Sequence, residues 1–295
     1  MEHSDGERMS RAEVESLWIP RPDGAVIAAE LICSPGHPLV LLVAGGESSM
    51  DWWRPAFCDL LVARGLRVAR YDQRGMGETS LGPPGTRRDG LAVGVDDALA
   101  LLDAAGAREA HWVGFSAGGW VCQLAALDHA DRVRALTLVS TSPTMFEADA
   151  DLPGAAARLR EAWANPHPDP DWNDADSVIE HYIEIDRDYA GDEFDEAHDR
   201  AIWTDTVRRS PGMHRDEGGA DEFEDAARWR ERLGDVRVPT TVVHGTADPM
   251  FPIGHGEALA RDIPGARLVP VPGGGHELPP SAWPFVVEAV TGARS

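Results

Sequence analysis

Short, unbroken apolar runs alternate along this chain with stretches in which apolar residues return every three or four positions. Ala25–Ile32 and Pro38–Val43 predict strands, Trp53–Ala63 a helix, Arg67–Tyr71 a strand and Gly94–Ala105 a helix. His111-Trp112-Val113 then predicts a strand and Ala117–Asp128 a helix, with further strands at Arg134–Val139, Thr240–Val243 and Arg267–Val271. The run Leu39-Val40-Leu41-Leu42-Val43 is apolar at every position rather than at every second one. Such a strand needs cover on both faces, as in a mostly parallel sheet flanked by helices. The expected fold class is therefore α/β.

Between Met145 and Asp235 the texture changes. No strand pattern is visible, helical periodicity surrounds Ala155–Trp163, Ser177–Tyr189 and Asp195–Arg208, and prolines punctuate Asn165–Pro170. The expected organisation is a core formed by residues 1–144 and 236–295 with a helical lid inserted at 145–235. That insertion holds 26 acidic residues against 10 arginines, a net of −16, so most of the chain's formal charge of −23 lies within it. It reads either as a solvated acidic surface or as a field that draws in a cationic substrate.

Composition removes several chemistries. A charge of −23 argues against a nucleic-acid partner, because phosphate binding needs clustered Lys and Arg. All 27 basic residues are arginine, which excludes a Schiff-base lysine, a pyridoxal-phosphate anchor and a P-loop lysine. No apolar run approaches the roughly 18 to 20 residues of a membrane span, and Met1–Arg11 is polar without the apolar stretch of a secretory leader. A soluble, cytoplasmic protein without a membrane partner is expected. Cys33, Cys58 and Cys122 lack metal-like spacing and are expected to be reduced packing residues. Asp169, Asp171, Asn173 and Glu180 match part of a calcium-loop template, but Asp174 stands where that loop needs glycine and Pro170 stiffens it. An acidic helix start is the expected reading, and neither a metal nor a cofactor is expected.

Gly114-Phe115-Ser116-Ala117-Gly118 carries the chemistry. A serine between glycines after an apolar run reads as a nucleophile elbow, where a strand turns so sharply into a helix that larger flanking side chains would clash. A serine hydroxyl needs a base to take its proton and a carboxylate to orient that base. In sheet-based hydrolases these follow in the order serine, acid, histidine. Asp248 comes directly after the apolar run Thr240–Val243, and His276 follows the final predicted strand in a glycine-rich loop. Asp248 next to Pro249 could instead only start a turn, and His244 and His255 are competing histidines. An oxyanion needs aimed N–H donors. Ala117 and Gly46, the latter within Ala44-Gly45-Gly46-Glu47, are the candidates.

With the elbow, Val43-Ala44-Gly45-Gly46, Tyr71-Asp72-Gln73-Arg74-Gly75-Met76-Gly77, Gly245-Thr246-Ala247-Asp248-Pro249 and Gly275-His276 in this order, the chain resembles the α/β-hydrolase superfamily over nearly its whole length. The resemblance implies an α/β-hydrolase fold with Ser116 as nucleophile, which disfavours dehalogenases and epoxide hydrolases that use an aspartate there. The superfamily's usual His-Gly is here Ala44-Gly45. Asp72 and Arg74 match a loop-shaping segment and are read as structural.

Leu41–Ser49, Arg70-Tyr71-Asp72, Leu124–Arg132 and His255-Gly256 are most similar to the aclacinomycin methylesterase group, which cleaves a carbomethoxy ester on anthracycline polyketides. That likeness implies a serine hydrolase acting on a small-molecule carboxylic ester, the methyl ester of a polyketide or anthracycline-like metabolite. An acidic lid would then suit an amino-sugar-bearing glycoside. The same three residues would serve a thioesterase, lactonase, carbon–carbon hydrolase or cofactor-free perhydrolase. A ligand-binding protein that keeps the fold without the chemistry is a further reading.

Overall fold

The computed structural model describes residues 13–32, 36–83, 90–145, 149–210 and 228–292. Met1–Arg11, Cys33 and parts of the 145–235 stretch lie outside these residues. Eight strands form one sheet: β1 (Val14–Pro20), β2 (Val26–Ile32), β3 (Leu39–Val43), β4 (Arg67–Tyr71), β5 (Ala110–Phe115), β6 (Val133–Val139), β7 (Thr240–Gly245) and β8 (Arg267–Val271). Their order is β1-β2-β4-β3-β5-β6-β7-β8. Only the pairings made by β2 are antiparallel; β4-β3-β5-β6-β7-β8 pair in parallel.

The helices are α1 (Pro55–Val62), α2 (Leu91–Ala104), α3 (Ala117–Asp128), α4 (Ala157–Ala164), α5 (Ala175–Tyr189), α6 (Glu196–Arg209), α7 (Gly254–Asp262) and α8 (Trp283–Gly292). The continuous apolar run of β3 divides by the two-residue period of a strand. Leu39, Leu41 and Val43 join a core layer with Leu101 of α2, Cys122 and Ala125 of α3 and Leu259 of α7. Val40 and Leu42 face the other way, onto Phe57 and Leu61 of α1 and Val286 and Val290 of α8. Burying one such Leu or Val contributes about 1.5–3 kcal/mol, so β3 alone anchors both layers. Cys58 and Cys122 are free and buried. Burial pushes the Cys58 thiol up to about 12 and raises Cys122 as well, which leaves both inert.

Three elements were not expected from the pattern. β1 is an edge strand in which only Ile19 is buried, so its sequence carries no apolar alternation. The turn-rich stretches before α7 and α8 hide their starts, and packing against β7 and β8 decides them. α2 begins at Leu91 rather than at the expected Gly94. Position 94, inside the helix, takes glycine because a Cβ there would come within 3.0 Å of Val121 Cγ2 on α3.

Between β6 and β7, in the stretch expected to form an insertion, the described residues include α4, α5 and α6. Ile179 and Ile183 of α5 meet Trp203 of α6, and Tyr182 stacks on that indole with ring centres 3.9 Å apart. In the calcium-like segment Asp174 accepts the N–H of Asp176 and caps α5, while Glu180 pairs with Arg200. Its carboxylates serve the helix start and its surface.

Candidate active site

Ser116 is the single residue between β5 and α3, with φ 50° and ψ −121°. This left-handed conformation strains a non-glycine residue, and the surrounding contacts hold it. Ser116 N donates to Val139 O at 3.0 Å, and Gly119 N and Thr141 Oγ1 donate to Ser116 O at 2.8 and 2.7 Å. The flanking glycines are dictated by close approach. A Cβ on Gly114 would sit 2.4 Å from Gly118 O, and one on Gly118 would sit 2.4 Å from Val43 O and Ala44 O.

Asp248 follows the end of β7 and His276 follows β8, so both rise at the same sheet edge as Ser116. Such an edge, beyond the carboxyl ends of parallel strands, is where open α/β sheets bind ligands. His276 Nε2 lies 3.0 Å from Ser116 Oγ, and His276 Nδ1 lies 2.9 Å from Asp248 Oδ2. All three residues are buried. Asp248 also does what a turn-starting residue would do, because its Oδ1 accepts the N–H groups of Met250 and Phe251, each at 2.9 Å. Burial pushes this carboxyl up, but His276, His244 and the Phe251 N–H outweigh it and hold the group below the usual carboxylate range.

The two competing histidines hydrogen-bond to groups other than Ser116. His244 Nε2 lies 2.6 Å from Phe251 O. His255 bridges Ser142 Oγ at 2.9 Å and Pro153 O at 2.8 Å. Asp72 accepts the N–H groups of Met50 and Glu78 at 2.8 and 2.9 Å, and Arg74 pairs with Asp97 and Asp23, so both shape loops.

Ala117 opens α3, where the first N–H groups have no helical carbonyl to bond. Gly46 lies beside it, since a Cβ on Gly46 would be 3.9 Å from Ala117 Cβ. Gln73 Nε2 steadies this loop by donating to Ala44 O at 2.9 Å. The next residue, Glu47, holds φ at 51°, a second strained position beside the serine.

Several neighbours were not anticipated from the sequence. The rings of Phe115, Phe251 and Tyr189 surround His276 with centre distances of 5.3, 5.3 and 5.9 Å. The end of α5 and the connection to α6 seat directly on the histidine loop: His276 N donates to Tyr189 O at 2.9 Å and Asp192 N to Gly273 O at 2.8 Å. Carboxyl groups crowd this contact. Burial pushes Glu277 up to about 7, Asp186 up to about 6 and Asp199, which also feels Asp186, up to about 9. Aromatic and acidic residues of this kind recur throughout the chain, and no local pattern marks those that converge.

Among the described residues no group of three or more His, Cys, Asp or Glu side chains is placed to hold a metal ion. Among the same residues no helix is long and apolar enough to cross a membrane.

Residues 38–280 match the family model of the alpha/beta hydrolase fold. The chain is 31% identical to rhodomycin D methylesterase DnrP of Streptomyces peucetius, over 87% of this chain and 91% of that protein. A solved hydrolase from Pseudomonas aeruginosa PA01 superposes with a TM-score of 0.64 at 29% identity, covering 94% of this chain and 96% of that one. The esterase RhEst1 from Rhodococcus sp. ECU1013 gives a TM-score of 0.74 at 21% identity, covering 95% and 98% of the two chains, a likeness of fold.

Proposed function

The chain belongs to the α/β-hydrolase family, and on that premise we propose that it is a serine hydrolase of carboxylic esters, with Ser116, His276 and Asp248 as its catalytic residues. The observation that carries this reading is the unbroken path from Ser116 Oγ through both nitrogens of His276 to Asp248 Oδ2. His276 Nε2 takes the serine proton as Oγ attacks the ester carbonyl, and Asp248 keeps the imidazole in the tautomer that leaves Nε2 free to accept it. The N–H groups of Ala117 and Gly46 receive the oxyanion, a stabilisation of about 3–4 kcal/mol per donor in comparable sites. The imidazolium returns its proton to the leaving alkoxide. Water then repeats the sequence on the acyl-enzyme and frees the acid.

The substrate in this reading is the methyl ester of a polycyclic polyketide or anthracycline-like metabolite. Likeness to a rhodomycin D methylesterase supports it, as do the aromatic rings of Phe115, Phe251 and Tyr189 packed around His276. The helices of 145–235 act as a lid, and their negative charge favours a substrate bearing a protonated amine. Affinity that stays constant when that amine is acetylated removes the charge preference.

A fluorophosphonate probe tests the chemistry. The native protein is expected to be labelled and Ser116→Ala not. Absence of labelling, or equal labelling of the two, would leave a ligand-binding protein of this fold. A panel of methyl esters, thioesters, lactones and vinylogous diketones then separates the esterase from the other reactions that such a triad supports.

A further inference from the structure

We infer that His244 is a positioning residue for the Ser116–His276–Asp248 relay, acting through Phe251; this rests on the catalytic reading above. His244 is the penultimate residue of β7 and has no solvent exposure. Its ring fits against α7 at Gly256, where a Cβ would come within 2.9 Å of His244 Cβ and Cγ. The carbonyl of Phe251, 2.6 Å from Nε2, can only accept, so Nε2 carries the ring proton. Nδ1 is then a bare acceptor, and this buried atom has no hydrogen-bond partner among the described residues.

An apolar ring would fill the same space without an unmet acceptor, so packing does not account for the imidazole. Its contribution is the N–H. Phe251 receives that N–H on its carbonyl, gives its own N–H to Asp248 Oδ1 at 2.9 Å, and sets its ring edge-on against His276 at 5.3 Å. One bond from His244 thus steadies both the carboxylate and the imidazole that must meet. The same nitrogen lies 3.6 Å from Asp248 Oδ2, the oxygen that faces His276. The positive end of the N–H dipole there tempers the field of Asp248 on His276. The titratable groups facing His244 are Asp248, His276 and, from α7, His255. Burial lowers His244 itself below the usual histidine range.

The test compares His244→Phe, which lacks the donor, with His244→Gln, whose amide nitrogen reaches about as far as Nε2. Turnover of a p-nitrophenyl ester is followed across pH, with unfolding curves as a check on the fold. In the Phe variant kcat is expected to fall about 10- to 100-fold with KM within about two-fold, since a displacement near 1 Å costs roughly that much. Its acidic limb should be displaced from the native one, because the donor that holds Phe251 against Asp248 is gone. The Gln variant should recover most of kcat and the original limb. Equal kcat and limb in Phe variant and native enzyme would overturn the inference, as would a Gln variant no better than Phe. If the Phe variant does not fold, His244→Asn, too short to reach Phe251 O, takes its place with the same expectations. Native turnover and its loss in Ser116→Ala report on the catalytic reading separately, so failure of that reading is distinguishable.

Discussion

The guanidinium of Arg209, the last residue of α6, is paired with the carboxylate of Asp72, which has no solvent exposure in the loop after β4. Arg209 also pairs with Asp51, and its Nη1 lies 3.2 Å from Asp72 Oδ1. The stretch carrying α5 and α6 is therefore fastened to the sheet's loops at a buried charge as well as at the histidine loop. Desolvation of both partners offsets much of the attraction, and removing one partner exposes the penalty left on the other.

Arg209→Ala is expected to lower stability by about 2–3 kcal/mol, at or just below the roughly 3–5 kcal/mol for breaking a buried pair. The reduction reflects an arginine side chain that is 25% exposed and an Asp72 that keeps two backbone donors. Denaturant unfolding measures the loss. Limited proteolysis should cut the 145–235 stretch earlier in the variant, and an unchanged cleavage rate would show that the pair does not hold the insertion.

Two glycines near the serine should respond oppositely to a methyl group. Gly118→Ala places a Cβ 2.4 Å from two backbone oxygens of the β3 end, which cannot swing away as a side chain would. It is expected to cost at least about 1–3 kcal/mol or prevent folding. Gly46→Ala meets only Ala117 Cβ, at 3.9 Å, and should fold with native stability. Circular dichroism and thermal midpoints for the pair decide this.

Asp199, in its buried pair with Asp186, is expected to make stability fall as pH rises. Burial and Asp186 lift its folded-state carboxyl from 3.8 to about 9, so above the lower value the unfolded chain releases a proton that the folded chain keeps. The contribution is fully present at acid pH and lost as pH climbs through the folded value. Asp199→Asn, which retains a donor toward Asp186, is expected to flatten the fall in thermal midpoint between pH 5 and pH 9. A slope equal to that of the native protein would assign the proton elsewhere.

His111 acts in the opposite sense. It lies within β5, 2.8 Å from Thr137 Oγ1, and burial beside Arg134 lowers it from 6.5 to about 4. Stability linked to this group is present above the unfolded value and lost as pH falls through the folded one, on the order of 3 kcal/mol in all. His111→Gln should remove the loss between pH 6.5 and pH 4 in urea-unfolding curves. An unaltered acid limb would mean that His111 takes up its proton at the same pH in the folded and unfolded chains.

The apolar run of β3, the Gly–x–Ser–x–Gly turn and the order Ser116, Asp248, His276 determined the sheet, the elbow and the candidate site residues from sequence alone. These signals are local or ordinal: two-residue periodicity, a glycine where a Cβ would meet backbone atoms at 2.4 Å, and carboxylate and imidazole placed after successive strands. Tertiary structure alone decided that Asp248 both starts a turn and faces His276, its two oxygens dividing the tasks. It alone gave His244 and His255 their own partners, and brought Arg209 to Asp72 across 137 residues. The rings packed around His276 and the edge strand β1 belong to the same class. Each depends on the angle and spacing at which separate elements pack, and a residue's own neighbours along the chain carry no record of that distance.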